Sequence, residues 1–438
     1  MSRWNGATWL RTALTAWIVL AVAASVKTVI EPEAHTVYTA FSHGCRDWWD
    51  GNSLYVDRAY YYSPTFAILM TPFAIWPNWF GGVLWNFASV WLLVYSLRTF
   101  FRDVLSGGDE DDLCAPGYAS AASRRQSHWH WGSSAVAVRP APTLSEGTEG
   151  IFLLLVLIGT ARSVWSGQSN AILIALVLLG AAAIVRREWW RAAMFLAGPI
   201  YIKIWPVAIA GLFGIQWPKR LAARLAICTA ALGLLPFLTK SPAAVIASYA
   251  DWFHCLTNRQ ATQFRFPGYR DAWTIWEQFQ SPVDKRAYLI LQLVAGLATL
   301  VWCVWQSRRS RSTRWLAIST IAAWSAWQLL FGPGTERLTY NLIAPALAWG
   351  VLTAFRARRG RAWITATYLT TYLLGLGGVE RLLTRVVPLA TALEPIGVLM
   401  FAAWLVFHAA SIEKPLDEAK QSDTLPGLDT RHYVARSA

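Results

Sequence analysis

Long apolar runs rich in Ala and Leu recur along the chain, separated by short polar or basic stretches. They do not alternate apolar with polar residues, so they read as helices rather than strands. A helix also satisfies its own backbone hydrogen bonds in lipid. A crossing needs about 20 residues, somewhat fewer for a short helix. On that basis spans are predicted at 9–30, 79–101, 150–164, 170–186, 190–203, 205–216, 221–238, 286–306, 315–331, 340–355, 362–376 and 389–408. The segments 190–203 and 205–216 are too short to be ordinary crossings, and Pro206 lies between them. They read as two short helices with a turn near Lys203. The stretch from Ser63 to Trp76 is also short, and reads as a helix that dips into or lies on the outer face.

Composition agrees with a polytopic membrane protein. Of 438 residues, 55% are hydrophobic and only 15% charged. The net charge of +14 would raise nucleic-acid binding in a soluble protein. Here the basic residues sit in short clusters between apolar runs, as the positive-inside bias produces, which argues against a nucleic-acid partner. The clusters are Arg186-Arg187 with Arg191, Lys219-Arg220 with Arg224, Arg308 to Arg314, and Arg356 to Arg361. They place both termini in the cytoplasm. The first run lacks a small-residue cleavage site and reads as an uncleaved span. One transmembrane domain is expected over 1–411, with a polar, disordered cytoplasmic insertion at 102–149 and a polar tail at 412–438. The five cysteines form no metal-like spacing; Cys45 and Cys255 fall on the same side and either pair or stay as thiols. His128 and His130 have no partner spacing, and no metal site or cofactor is expected.

The distinctive polar residues lie in the outward loops. Loop 31–78 opens Glu31-Pro32-Glu33-Ala34-His35-Thr36-Val37-Tyr38 and continues through Asp50-Gly51-Asn52-Ser53-Leu54-Tyr55 to Tyr62-Ser63-Pro64. Carboxylates beside aromatic residues suit sugar recognition; an interfacial aromatic belt is the alternative. Gly167-Gln168-Ser169-Asn170 caps a helical hairpin: Gly allows the turn, Gln168 and Asn170 offer amides, and Ser169 suits a helix N-cap. Lys203 puts a cation at the tip between two short helices, either to bind a lipid phosphate or to snorkel to headgroups. Glu336-Arg337 is a second charged turn, within Gly332-Pro333-Gly334-Thr335-Glu336-Arg337-Leu338-Thr339-Tyr340-Asn341. Loop 239–285 carries Arg259 and Arg265, which suit phosphate or anionic lipid.

In order, these motifs are an acidic loop with a Tyr, Gly-x-x-Leu-Tyr, Tyr-Ser-Pro with Pro72 and Trp76-Pro77, Gly-Gln-x-Asn, Lys-x-x-Pro, and a Pro-containing turn before 340–355. The chain resembles glycosyltransferase family 87, the polyprenol-phosphate-mannose-dependent alpha-mannosyltransferases, from about residue 10 to about 355. The resemblance implies an all-α GT-C-like bundle of about a dozen transmembrane helices in the cell membrane. It implies a polyprenyl-phosphate sugar donor, handled on the extracytoplasmic face, and a glycan or glycolipid acceptor. It implies a general base in the first outer loop. Where the family places Asp, four residues before the loop Tyr38, this chain has Ala34, flanked by Glu33 and His35. Glu33 or His35 then serves as base, or catalysis has been lost. Lys203, with Arg259 and Arg337, would hold the donor phosphate. Tyr38, Tyr55, Gln168, Asn170 and Glu336 would face sugar or acceptor. The other function class compatible with these features is a transporter or flippase of a lipid-linked saccharide, which needs no base.

Overall fold

A computed structural model describes residues 6–34, 36–55, 60–106, 146–262, 268–278, 284–310, 312–373 and 388–412. Side chains at 259–262, 388–389 and 409–412 are not described. The insertion expected at 102–149 (from residue 107 to residue 145) and the tail beyond residue 412 lie outside the described residues.

The described residues are helical throughout, apart from turns and one isolated antiparallel bridge between Tyr269 and Glu336. In chain order the helices are α1 (Gly6–Ile30), α2 (Tyr38–Asp50), α3 (Pro64–Leu69), α4 (Thr71–Ala74) and α5 (Asn78–Phe100). Then follow α6 (Glu146–Trp165), α7 (Asn170–Val185), α8 (Trp189–Ile202), α9 (Val207–Gln216) and α10 (Ala223–Leu234). Next are α11 (Pro242–Thr262), α12 (Ala272–Glu277), α13 (Lys285–Arg309) and α14 (Thr313–Phe331). A 3₁₀ turn (Arg337–Ile343) leads into α15 (Ala344–Ala357), and α16 (Arg361–Tyr368) and α17 (Leu393–Ile412) complete the order.

Where they are described, the twelve predicted spans fall on helix; residues 374–376 of the span 362–376 lie outside the described residues. Among the described residues, seven helices are long and apolar enough to cross a membrane: Gly6–Ile30, Asn78–Leu105, Glu146–Trp165, Pro218–Leu238, Lys285–Arg309, Arg337–Ala357 and Ala390–His408. The others are shorter or more polar. Three helices arise where loops were expected: α2, α11 and the six-residue α12, of which the first two are long. In α2 the residues Tyr38, Phe41, Cys45 and Trp48 recur every three or four positions, and all are buried on one face. In α11, Val245 and Trp252 are buried two turns apart while most of the helix is exposed. Both are amphipathic, so neither shows as an apolar run.

The core forms around α1, α5, α6, α7 and α8. Small residues set its spacing: Ala13, Ala21 and Ala24 of α1 are buried against α5 and α6. A Cβ on Gly150 would come within 2.5 Å of the Trp9 backbone, so α1 and α6 approach this closely only because residue 150 is Gly. The pair α8 and α9 has a consequence for the site. α8 has 14 residues and α9 has 10, so they rise about 21 Å and about 15 Å. Their outer ends carry Arg186, Arg187, Arg191, Lys219 and Arg220. Against a hydrocarbon core of about 30 Å, each is shorter than a full crossing. Lys203 follows α8 in extended backbone, at φ −142° and ψ 143°, and begins the turn between the two short helices.

Candidate functional site

The end of the bundle opposite the arginine clusters gathers several of the predicted polar segments. The turn after α6 is closed by Gly167 N–H donating to the Val164 carbonyl (3.0 Å) and Gln168 N–H to the Ser163 carbonyl (3.1 Å). Gly167 has φ +62°, a left-handed backbone that suits Gly. The first loop docks on this turn: Val37 N–H donates to the Ser166 carbonyl at 2.9 Å, and Trp85 Nε1 to the Gly167 carbonyl at 2.9 Å. A Cβ on Gly167 would lie 2.8 Å from Thr36 Oγ1, so the contact leaves no room for a larger residue.

Asn170 joins this turn to two others. Its Oδ1 accepts from Lys203 Nζ at 2.8 Å, and its Nδ2 donates to the Leu338 carbonyl at 3.0 Å. Lys203 can only donate, so the amide orientation follows from chemistry. The ammonium also lies 6.0 Å from the Trp205 ring centre. Asn341 Nδ2 donates to Ser163 Oγ at 3.1 Å, closing the connection between α6 and the 3₁₀ turn. Thus the first loop, the Gly167–Asn170 turn, Lys203 and the turn bearing Arg337 meet in one place.

Glu394, at the start of α17, adds a charge cluster that the sequence reading missed. It is 5% exposed, and its Oε2 lies 3.5 Å from Arg337 Nε and 3.9 Å from Arg270 Nε. Arg162 contributes to the same field. The segment carrying Arg270 is fixed by Arg270 N–H donating to the Thr335 carbonyl (2.8 Å) and Tyr340 Oη to the Arg270 carbonyl (2.8 Å). Asp271 caps α12 through Thr274 N–H at 3.3 Å. Burial raises its carboxyl from the ordinary 3.8 to about 6, against the lowering pull of its own hydrogen bonds. An ionisable residue beside an apolar run was the available signal for Glu394.

The remaining predicted residues fall as follows. Glu33 is exposed, and its Oε1 accepts from Asn78 Nδ2 at 2.5 Å. Asn78 Oδ1 in turn accepts from Ser42 Oγ at 3.0 Å, which orients the amide toward Glu33. His35 and the Arg259 side chain lie outside the described residues. Tyr38 is buried and its hydroxyl donates to the Phe73 carbonyl at 2.9 Å. Burial pushes its phenol up to about 12, so it stays protonated at neutral pH. Tyr55 Oη donates to the Tyr62 carbonyl at 2.9 Å. Glu336 forms a capping box with Thr339, so part of its carboxylate holds the 3₁₀ turn. Cys45 and Cys255 are not joined by a disulfide. Ser169 occupies the N-cap position of α7 but makes no capping hydrogen bond, contrary to the expectation for that residue.

Residues 60–323 match glycosyltransferase family 87. The match spans more than half of the chain, and the chain belongs to this family. It is a multi-pass membrane glycosyltransferase. The match includes Gln168, Asn170 and Lys203; it begins after Glu33, His35, Tyr38 and Tyr55 and ends before Glu336 and Arg337, so it is narrower than the resemblance read from the motifs. No curated protein matches the chain. Among solved structures it is similar to the crystal structure of ArnT from Cupriavidus metallidurans bound to undecaprenyl phosphate, at 14% identity and a TM-score of 0.33, over 93% of this chain and 80% of that one.

Proposed function

We propose that the chain moves a hexose, mannose in the first instance, from polyprenyl phosphate to a glycan or glycolipid acceptor on the extracytoplasmic face of the cell membrane. Membership of family 87 supports sugar transfer. The observation that carries the donor assignment is the cation at Lys203, half-buried beside Trp205, with its ammonium aligned by Asn170. A carrier phosphate there would meet a donor-only group in a partly dry setting, where electrostatics act strongly. The cation of Arg337 lies on the turn that Asn170 ties to Lys203, and Arg270 lies on the segment hydrogen-bonded to that turn through Thr335.

In this mechanism the acceptor hydroxyl loses its proton to a base of the first loop. Its oxygen bonds to the anomeric carbon, and the bond from that carbon to the phosphate oxygen breaks. The electron pair stays on the lipid phosphate, whose charge Lys203 offsets. Glu33 and His35 are the proposed bases. Glu33 has one oxygen held by Asn78, which positions the other. Arg259, Gln168, Asn170, Glu336, Tyr38 and Tyr55 remain proposed contacts, with the two tyrosines acting through the loop they brace.

The test is to incubate purified protein with polyprenyl phosphates carrying different hexoses and pentoses, with acceptor glycolipids. The expected result is sugar-dependent release of lipid phosphate, greatest with mannose. Movement of intact donor across a proteoliposome membrane without release would replace the enzyme with a flippase.

A further inference from the structure

Three side-chain oxygens in the Gly167–Asn170 region have no hydrogen-bond partner although they are buried. They are Gln168 Oε1, Ser169 Oγ and Asn341 Oδ1. The residues are 7%, 0% and 1% exposed. Each such oxygen costs about 1–3 kcal/mol if nothing meets it. Native interiors carry few of these; other buried polar atoms of the described residues, Gln216 Oε1 and Gln328 Oε1 among them, also lack a partner. These three belong to residues that meet at Ser163: Gln168 donates its backbone N–H to the Ser163 carbonyl and Asn341 its Nδ2 to the Ser163 Oγ, both at 3.1 Å. Ser169 lies between Gln168 and the Lys203-bound Asn170.

Their chemistry says what is absent. Amide oxygens only accept, so Gln168 and Asn341 call for an O–H or N–H. They would repel a phosphate oxygen. Lys203 is the reverse, since it only donates. The polarity of the site therefore switches across Asn170, from a donor suited to phosphate to acceptors suited to hydroxyls. We propose that Gln168, Ser169 and Asn341 form the pocket that reads the hydroxyls of the transferred sugar, with the phosphate on the Lys203 side. Asn341 lies outside the stretch that matches the family, and neither it nor Ser169 was assigned to substrate from sequence. This assignment rests on the donor being a sugar linked through phosphate.

The experiment measures three things at matched amounts of folded protein: kcat/KM for polyprenyl-phosphate mannose and its mono-deoxy analogues, donor binding without acceptor, and thermal stability. Variants are Ser169→Ala, Gln168→Met and Asn341→Leu. Ser169→Ala removes a hydroxyl with no partner in the unliganded protein, so stability should hold or rise while kcat/KM falls roughly 5- to 150-fold. Gln168→Met and Asn341→Leu should each lose the wild-type preference for mannose over one particular deoxy donor. Equal effects on all donors, or stability losses with unchanged transfer, would mean a water-filled packing defect and overturn the pocket. Donor binding that weakens in the variants without any sugar transfer would instead overturn the enzymatic reading and leave the pocket standing. A protein that neither binds nor turns over any of the donors would end both.

Discussion

At the arginine-rich end of the bundle, the buried carboxylate Glu149 is matched, although Gln216 Oε1, Arg224 Nε and Gln306 Nε2 have no hydrogen-bond partner there either. Glu149 is 4% exposed and sits 2.7 Å from Arg98 Nε and 3.5 Å from Arg102 Nε. Arg186 pairs with Asp103, and Arg191 with Glu188 at 3.1 Å. At the Lys203 end, amide and hydroxyl oxygens of Gln168, Ser169 and Asn341 are buried with nothing to meet them. The difference separates two uses of polar groups. Matched groups hold the helices together, whereas unmatched ones store a cost that a ligand can relieve. On this view, substitutions at one end should move stability, and at the other, turnover.

The largest expected effect is at Lys203. Lys203→Met should slow turnover by about 10²–10³-fold per folded molecule, the typical loss when one transition-state donor is removed. Lys203→Arg should restore only part of it, because the planar fork has a different reach. Near-wild-type turnover in the Met variant would reduce Lys203 to a membrane anchor. Arg98→Met should do the opposite. It should cost about 1.5–3 kcal/mol of stability, as for hydrogen bonds to charged groups, and leave turnover per folded molecule unchanged. A drop in specific activity would erase the contrast between the ends.

Asp271 gives a smaller, pH-dependent effect near the Lys203 end. Its folded pKa lies above its ordinary value, so the native state holds the proton more tightly than the unfolded chain. Stability should then be greatest below about pH 4, fall as pH rises toward about 6, and level off above that. Asp271→Asn should flatten this part of the unfolding profile, and an unaltered slope would remove Asp271 as its source. The smallest effect is at Lys240, whose ammonium lies 4.5 Å from the Trp48 ring centre. Lys240→Gln should cost about 0.5–1 kcal/mol, read by thermal unfolding, with transfer unaffected.

Helices whose apolar residues run unbroken were legible in the sequence, because lipid requires them. Those with a mixed surface were not. α2 interleaves Phe41, Cys45 and Trp48 with Arg46, Asp47 and Asp50, and its signal is a period rather than a run. For the site, Gln168, Asn170, Lys203 and Arg337 were visible as polar residues in turns between apolar segments, and their meeting is a tertiary fact. Glu394 and Asn341 were passed over because each sits at the edge of a span, where a polar residue is ordinary. Ser169 does hold the N-cap position its sequence suggests, but its hydroxyl makes no capping bond.

The Arg98–Glu149 contact also bears on how the chain is connected. α5 and α6 are consecutive among the described helices, and the chain between them runs from residue 107 to residue 145. Their facing ends are held by the ion pairs at Glu149 and by Phe101 against Phe152, with ring centres 5.4 Å apart. The helices therefore do not need the connecting segment to find their register. A protease cut within it should leave two fragments that stay together in detergent and migrate as one particle, separating only when the bundle is denatured. Two genes, one ending and the other beginning in that segment, should likewise reconstitute the bundle when expressed together.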